Sequence, residues 1–431
     1  MSIMHRREFL TTIGLAGSAN LLKGVPNSVA AADKASRVSL GPKSLLHGTP
    51  AVFAPAADGF TVSCPLAAAA LVWLEYGETD TLGTLMKGDA QGFVPHDDKV
   101  VKIRLRGLKS GTRYYWRAHA KPLRGGATTF TKTYATRTLD PGAQKAAFTV
   151  WNDTHDNAQV IRQLHDAREP EADFLLWNGD VSNDVNDRKL LPALYVSPPG
   201  VDLAEGAPIF SVRGNHDVRG IWANKMTDYV DFPGGYPYYG FRVGPLGVIV
   251  LDTGEDKPDD HPSLKGVAAF QPLIRKQAAW LEQAIASPSL RDAPYRILFC
   301  HIPLRWSKEQ RPNYARGGYD YVSLRGQEAW QGALARWKTQ VVISGHTHKH
   351  AWLEPTAGFR FAQLVGGGRT LNDATRIQGS ATADALRLTT LNLKGETLHE
   401  AIFKPLRREK MTVASRTVDM QKATSIVHSQ H

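Results

Sequence analysis

The sequence predicts two architectures in one chain: an all-β sandwich over residues 40–140, then a layered α/β domain over residues 145–408. Three observations carry this. Short apolar runs separated by turn residues fill the first stretch, as in a sandwich. From residue 147 the apolar runs alternate instead with segments of helical spacing. In this second stretch, five apolar runs each end in Asp or His, where open α/β sheets place their ligands. A length of 431 residues suits two cores better than one. Hydrophobic residues at 42% and charged residues at 22% describe a globular protein and exclude a disordered one.

Within the first stretch, Val52-Phe53, Phe60-Thr61-Val62-Ser63 and Ala70-Leu71-Val72-Trp73-Leu74 read as short strands. The clearest pair is Lys99 to Leu105 and Arg113-Tyr114-Tyr115-Trp116-Arg117-Ala118, joined through Gly107-Leu108-Lys109-Ser110-Gly111-Thr112. Strand, Leu-x-x-Gly-Thr turn and aromatic strand together resemble a fibronectin type III sandwich, such as the small N-terminal domain of purple acid phosphatase-like proteins. The stretch gathers no metal ligands or nucleophiles, so it reads as a binding or packing module. Thr138-Leu139-Asp140-Pro141-Gly142-Ala143 marks its end, with Pro and Gly breaking the chain. Cys64 falls in this stretch and Cys300 ends a strand of the second; both read as buried thiols, although an oxidising compartment permits a disulfide.

In the second stretch, Ala147 to Trp151 is a strand followed by Asp153-Thr154-His155-Asp156 and a helical face of Val160, Ile161, Leu164 and Ala167. Phe174-Leu175-Leu176-Trp177 ends in Asn178-Gly179-Asp180, and Pro208 to Val212 ends in Arg213-Gly214-Asn215-His216-Asp217. Gly247 to Leu251 is a strand, and Leu273, Ile274, Trp280, Leu281 and Ala284 mark a helix. Tyr295 to Cys300 ends at His301; Ala329, Trp330, Ala333, Leu334 and Trp337 mark another helix. Val341-Val342-Ile343-Ser344 ends at Gly345-His346-Thr347-His348, and Phe359 to Val365 and Ala385 to Leu393 read as closing strands. Residues 409–431 are polar and aperiodic and read as a loose tail.

One Asp or His at a strand end is ordinary turn chemistry. Five in one chain, all after strands, ask for a common metal site, and mixed imidazole and carboxylate donors suit Mn, Fe or Zn. The series Asp153-x-His155, Gly179-Asp180, Gly214-Asn215-His216-Asp217, His301 and Gly345-His346-x-His348 resembles the calcineurin-like metallophosphoesterase family over residues 147 to 405. The resemblance implies a four-layer αββα fold and two divalent cations. Asp153, His155 and His348 are then expected on one metal, Asn215, His301 and His346 on the other, with Asp180 bridging. His216 is expected outside the metal shell near the leaving-group oxygen, as general acid or charge stabiliser, with Asp217 fixing its orientation. A hydroxide shared by the two metals would attack phosphorus in line.

Purple acid phosphatases place Asp-x-Gly in the first motif and a ligating Tyr in the second. This chain has His155 and, where the Tyr would stand, Asn183, as in the cyclic-nucleotide-phosphodiesterase-like branch. No tyrosinate–iron(III) chromophore is expected. Asn157 and Arg219 follow metal motifs and read either as phosphate contacts or as loop hydrogen-bonders. His350 reads as a surface or supporting histidine, and His165 is given no role. Trp222, Trp306 and Tyr319, with Arg316-Gly317-Gly318 as a lid, lie where substrate choice would be made.

His5-Arg6-Arg7-Glu8-Phe9-Leu10, a modest apolar stretch to Leu22, and Ser28 to Ala32 make residues 1–32 a twin-arginine signal peptide. It implies contact with the twin-arginine export machinery, folding before export, and a bacterial periplasmic or extracellular location. No apolar run is long enough for a membrane span. The net charge of +11 favours anionic substrates, but scattered Lys and Arg give no nucleic-acid-binding module. The function expected is an exported phosphate-ester hydrolase with a small-molecule substrate, diesters or nucleotides favoured over a broad phosphomonoesterase. A non-catalytic surface-binding protein on this scaffold would have lost ligands, and every expected one is present.

Overall fold

The structure, a computed structural model, describes residues 44–306 and 319–406, excepting the side chains of Tyr319 and Asp320. The signal peptide, the polar tail and the Arg316-Gly317-Gly318 segment read from the sequence lie outside the described residues.

Among the described residues nine strands precede residue 140: β1 (Ala51–Ala56), β2 (Gly59–Pro65), β3 (Ala70–Gly77), β4 (Thr84–Met86), β5 (His96–Asp97), β6 (Val100–Leu105), β7 (Arg113–Pro122), β8 (Thr129–Phe130) and β9 (Tyr134–Arg137). β2 pairs antiparallel with β1 and β6, while β3 pairs with β4, β5 and β7, and β7 with β8 and β9. Alternation explains the arrangement. In β6 and β7 every second residue is buried, and Ile103, Leu105, Trp116 and Ala118 meet Val62, Cys64, Val72 and Leu74 in one apolar cluster. The indole of the fully buried Trp116 donates to Thr136 Oγ1 at 2.9 Å, so its polar atom is satisfied.

Next come β10 (Ala146–Trp151), α1 (Ala158–Asp166), β11 (Phe174–Asn178) and β12 (Ile209–Val212). The three strands pair in parallel, and β11 and β12 are buried throughout. Near-continuous apolar runs are what a parallel sheet covered on both faces demands. After α2 (Met226–Tyr229) follow β13 (Tyr239–Val243), β14 (Leu246–Val250), α3 (Phe270–Ala286), α4 (Pro288–Arg291), β15 (Tyr295–Phe299), α5 (Tyr319–Arg336), β16 (Val341–Ser344), β17 (Ala351–Leu353) and β18 (Ala362–Val365). These strands form a second, six-stranded sheet in the order β13-β14-β15-β16-β18-β17, parallel from β14 through β15 and β16 to β18. The meander β19 (Thr375–Ala381), β20 (Leu386–Asn392), β21 (Thr397–Phe403) returns to the first sheet, β19 lying antiparallel on β10.

Phe148, Phe174 and Phe210 of the first sheet meet Phe241, Val248, Ile297 and Phe299 of the second in the main core. The Phe210 and Phe241 rings stack at 3.9 Å between centroids. Burying each such side chain contributes about 1.5–3 kcal/mol. Val160, Ile161 and Leu164 of α1 join this core, while α3 and α5 cover the far face of the second sheet through Ile274, Leu281, Trp330 and Leu334 against Ile249, Leu298 and Val342. The layers are therefore helix, sheet, sheet, helix.

The sequence placed a boundary near residue 140. Hydrogen bonding crosses it: β1 pairs in parallel with β12 at Phe53–Ile209, so the first sheet runs without a break through nine strands, β21-β20-β19-β10-β11-β12-β1-β2-β6. Cys64 and Cys300 are free and buried in different clusters, and burial pushes both thiols up to about 12. Neither is a nucleophile at neutral pH.

Candidate metal centre

The loops after β10, β11, β12, β15 and β16 converge. Their backbones are unusual. Ten described non-glycine residues have positive φ, and five of them are Asp153, His155, Asp180, His346 and His348. A left-handed backbone is costly for residues with a Cβ, and such outliers concentrate at functional sites. Here it turns successive side chains sharply toward one point. Two glycines allow the loops to touch. A Cβ on Gly179, at φ +85°, would lie 2.5 Å from His301 Nδ1, and one on Gly214 would lie 2.1 Å from Asp180 Oδ1.

The donors fall into two groups that share one member. Asp153, His155, Asp180 and His348 offer ligand atoms all within 4.8 Å of one another, and so do Asp180, His301 and His346. His155 Nε2 lies 2.9 Å from His348 Nε2 and 3.3 Å from Asp180 Oδ2, whose other neighbour is His301 Nε2 at 3.2 Å. Four of the donors, Asp153, Asp180, His301 and His155, are aimed by their other atoms. His346 N donates to Asp153 Oδ1 at 2.8 Å, His216 N to Asp180 Oδ1 at 2.9 Å, and His301 Nδ1 to the Asn178 carbonyl at 2.8 Å. His155 Nδ1 is 3.1 Å from Asn183 Oδ1. Fixing one ring nitrogen presents the other as the ligand.

Two oxygens test whether this pocket suits cations. Asp153 Oδ2 and Asn215 Oδ1 are buried with no hydrogen-bond partner among the described residues. Such atoms cost free energy unless something else satisfies them. They belong to the two groups from which the sequence expects separate metals, so the residues present fit divalent cations.

Charge supports this. Burial, with Asp180 beside it, pushes the Asp153 carboxyl up to about 7. Burial and the His301 neighbour bring His346 down to about 3, and burial with His155 brings His348 down to about 4. Both rings are thus neutral and carry the lone pair a metal needs. His301 moves up to about 10; burial opposes its charge, but Asp180 and Asp153 overcome it. A metal takes the neutral imidazole, so cation binding at His301 would release a proton.

His216 lies beside the centre, its ring 5.0 Å from that of His155. Its Nδ1 is held by the Asn183 carbonyl and by Asp184 Oδ1 at 3.1 Å. The sequence assigned that orienting task to Asp217. Among the described residues, Asp217 makes other bonds: its buried carboxylate accepts from Gly214 N and Asp180 N at 2.8 Å, Val181 N at 3.0 Å and the Tyr195 hydroxyl. It ties the Gly-Asp loop to the Gly-Asn-His-Asp loop and so places Asp180. Asp217→Asn would set an amide N–H against these donors, at a cost of about 2–4 kcal/mol. A lowered melting temperature with an unchanged pH profile of turnover is the expected result. Unchanged melting with an altered profile would return Asp217 to the His216 ring.

Of the remaining sequence candidates, Asn157 caps α1 through Gln159 N and Val160 N and donates to the Arg369 carbonyl, the loop role rather than a phosphate contact. His165 bonds the Asp202 carbonyl and His350 lies near the Val365 carbonyl. Trp306 stands edge-on to His346, with ring centroids 5.8 Å apart, and Trp222 packs on the main core. Tyr319 opens α5. Sequence reasoning missed Asp184, Tyr195, and the Gly366-Gly367-Gly368 run, where a Cβ on Gly367 would lie 2.1 Å from Asp153 Oδ2. Three glycines after a strand was the available signal.

Residues 146–350 match the family described as calcineurin-like phosphoesterase. Fold, donor set and match define this region, in class, as a metal-dependent phosphoester hydrolase domain. The serine/threonine-protein phosphatase CPPED1 of Pongo abelii is 27% identical over 146 residues, which are 33% of this chain and 42% of that protein. The chain thus matches less than half the length of this curated relative. Among solved structures, the purple acid phosphatase PPD1 of yellow lupin (Lupinus luteus) superposes with a TM-score of 0.62 at 14% identity, over 82% of this chain and 74% of that one. The structure of PhoD gives 0.55 at 14% identity, over 83% and 88%. Both likenesses are of fold.

Proposed function

We propose that the protein is an exported phosphate-ester hydrolase working with two divalent cations, Mn, Fe or Zn, with phosphodiesters or nucleotides as favoured substrates. The observation that carries this reading is the single carboxylate of Asp180, common to two separate donor groups. Cations held there supply Lewis acidity toward phosphoryl oxygens and a nucleophile at neutral pH. The chain's own residues do the rest. Asp153, His155 and His348 hold one side, and Asn215, His301 and His346 the other. The Asn183 carbonyl and Asp184 hold His216 through Nδ1, which leaves Nε2 to pass a proton to the leaving oxygen. The diester preference rests on His155 in the first motif and Asn183 in the second. Export rests on the twin arginines and the small-residue stretch that follows them; among the described residues, no helix is long and apolar enough to cross a membrane. Strands β1 to β9, proposed as a fibronectin type III-like unit, serve as a packing module.

Elemental analysis alongside hydrolysis of paired p-nitrophenyl monoesters and diesters tests the reading. Two metals per chain with faster diester cleavage is the expected result. Monoester preference would make the protein a broad phosphomonoesterase. Neither metal nor turnover after supply of Mn, Fe and Zn would leave a non-catalytic binding protein.

A further inference from the structure

Arg219 stands two residues beyond the Gly-Asn-His-Asp motif and belongs to neither donor group. Its guanidinium is locked in place. Nε donates to Glu255 Oε2 at 2.7 Å, and Nη2 donates to Glu255 Oε1 and, at 2.7 Å, to Asp256 Oδ1. Glu255 is buried, and Lys257 closes the cluster, 3.6 Å from Glu255 Oε1 and in contact with Asp256. The carboxylates thus use three of the five guanidinium N–H groups. The remaining nitrogen, Nη1, lies 3.4 Å from His216 Nε2, the same ring atom that faces away from Asn183 and Asp184. Nη1 has two hydrogens and, among the described residues, this one polar neighbour.

We propose that Arg219 is a substrate-contacting residue that works with His216 on the leaving group. Nη1 and Nε2 present two donors to one small volume. An ester oxygen placed to receive a proton from Nε2 also lies within reach of a charge-assisted bond from Nη1. His216 transfers the proton and Arg219 keeps all of its own. The guanidinium stabilises negative charge growing on the leaving oxygen before the proton arrives, so it matters most for leaving groups that carry that charge poorly. Glu255 and Asp256 are positioning residues: they hold the fork rigid through its Nε and Nη2.

This inference rests on the phosphoesterase reading of the same site. Metal-loaded wild type, Arg219→Ala and Arg219→Lys are compared on aryl phosphates of the ester class the wild type cleaves, with leaving groups from 2,4-dinitrophenol to phenol. Because Arg219→Ala strands the buried Glu255, Arg219→Lys keeps a cation there while removing Nη1. Both variants should retain wild-type metal content. They should lose on the order of 100-fold in kcat with phenol and about tenfold or less with dinitrophenol. A loss equal across the series, or wild-type turnover in both variants, overturns the inference alone. A wild type that binds two metals and cleaves no ester overturns the phosphoesterase reading and this inference with it.

Discussion

Asp180→Ala should yield a folded protein that retains metal at neither position. The carboxylate is shared by both donor groups, and its Oδ2 lies within 3.3 Å of His155 Nε2 and His301 Nε2. Removing it deletes a ligand from each group and leaves His301 without its nearest counter-charge. Loss of a mere supporting residue lowers metal affinity about 10–100-fold, so loss of a shared ligand should exceed that. The fold should survive, because the core lies between the sheets and α1, α3 and α5 cover them without Asp180. Elemental analysis after dialysis, with a thermal melt, gives the answer. Near-normal metal content in a folded variant would sink the bridging assignment.

His216→Ala should do the reverse: normal metal content and turnover lower by about 10²–10⁴-fold. The ring is 29% exposed and contributes no atom to either donor group, so its loss leaves the ligands as they are. Asp184→Asn should weaken turnover less, since the Asn183 carbonyl still holds Nδ1. Steady-state rates on metal-matched samples decide. Turnover in His216→Ala equal to the wild type would remove its catalytic role.

The ligands were legible because each follows a short, mostly apolar run. β11, β12 and β16 are buried along their whole length, so Asn178-Gly179-Asp180, Gly214-Asn215-His216-Asp217 and Gly345-His346 stand out as abrupt polar turns. β19 and β21 were not legible. Their solvated faces break the apolar pattern with Arg376, Gln378, Ser380, His399 and Glu400. Nor was the six-residue π-helical segment Leu191–Val196, which carries Pro192 in its first turn yet aims Tyr195 at Asp217. Asp217 itself shows a limit of motif reading. A carboxylate beside a histidine in sequence suggests a pair, whereas its partners include backbone N–H groups at residues 180, 181 and 214 and a hydroxyl 22 residues away. The partner of His216 came from the loop after β11, brought close by folding alone.

The parallel pairing of Phe53 with Ile209 has a practical meaning. β12, which delivers Asn215 and His216, is flanked by β11 on one side and β1 on the other. A catalytic fragment started near residue 145 would uncover the unpaired amides and carbonyls of a strand whose every residue is apolar-packed or buried. Bare edges of that kind recruit other chains. Excising the N-terminal strands would therefore produce a sticky fragment prone to aggregation, and any workable truncation must leave β1 and β2 in place.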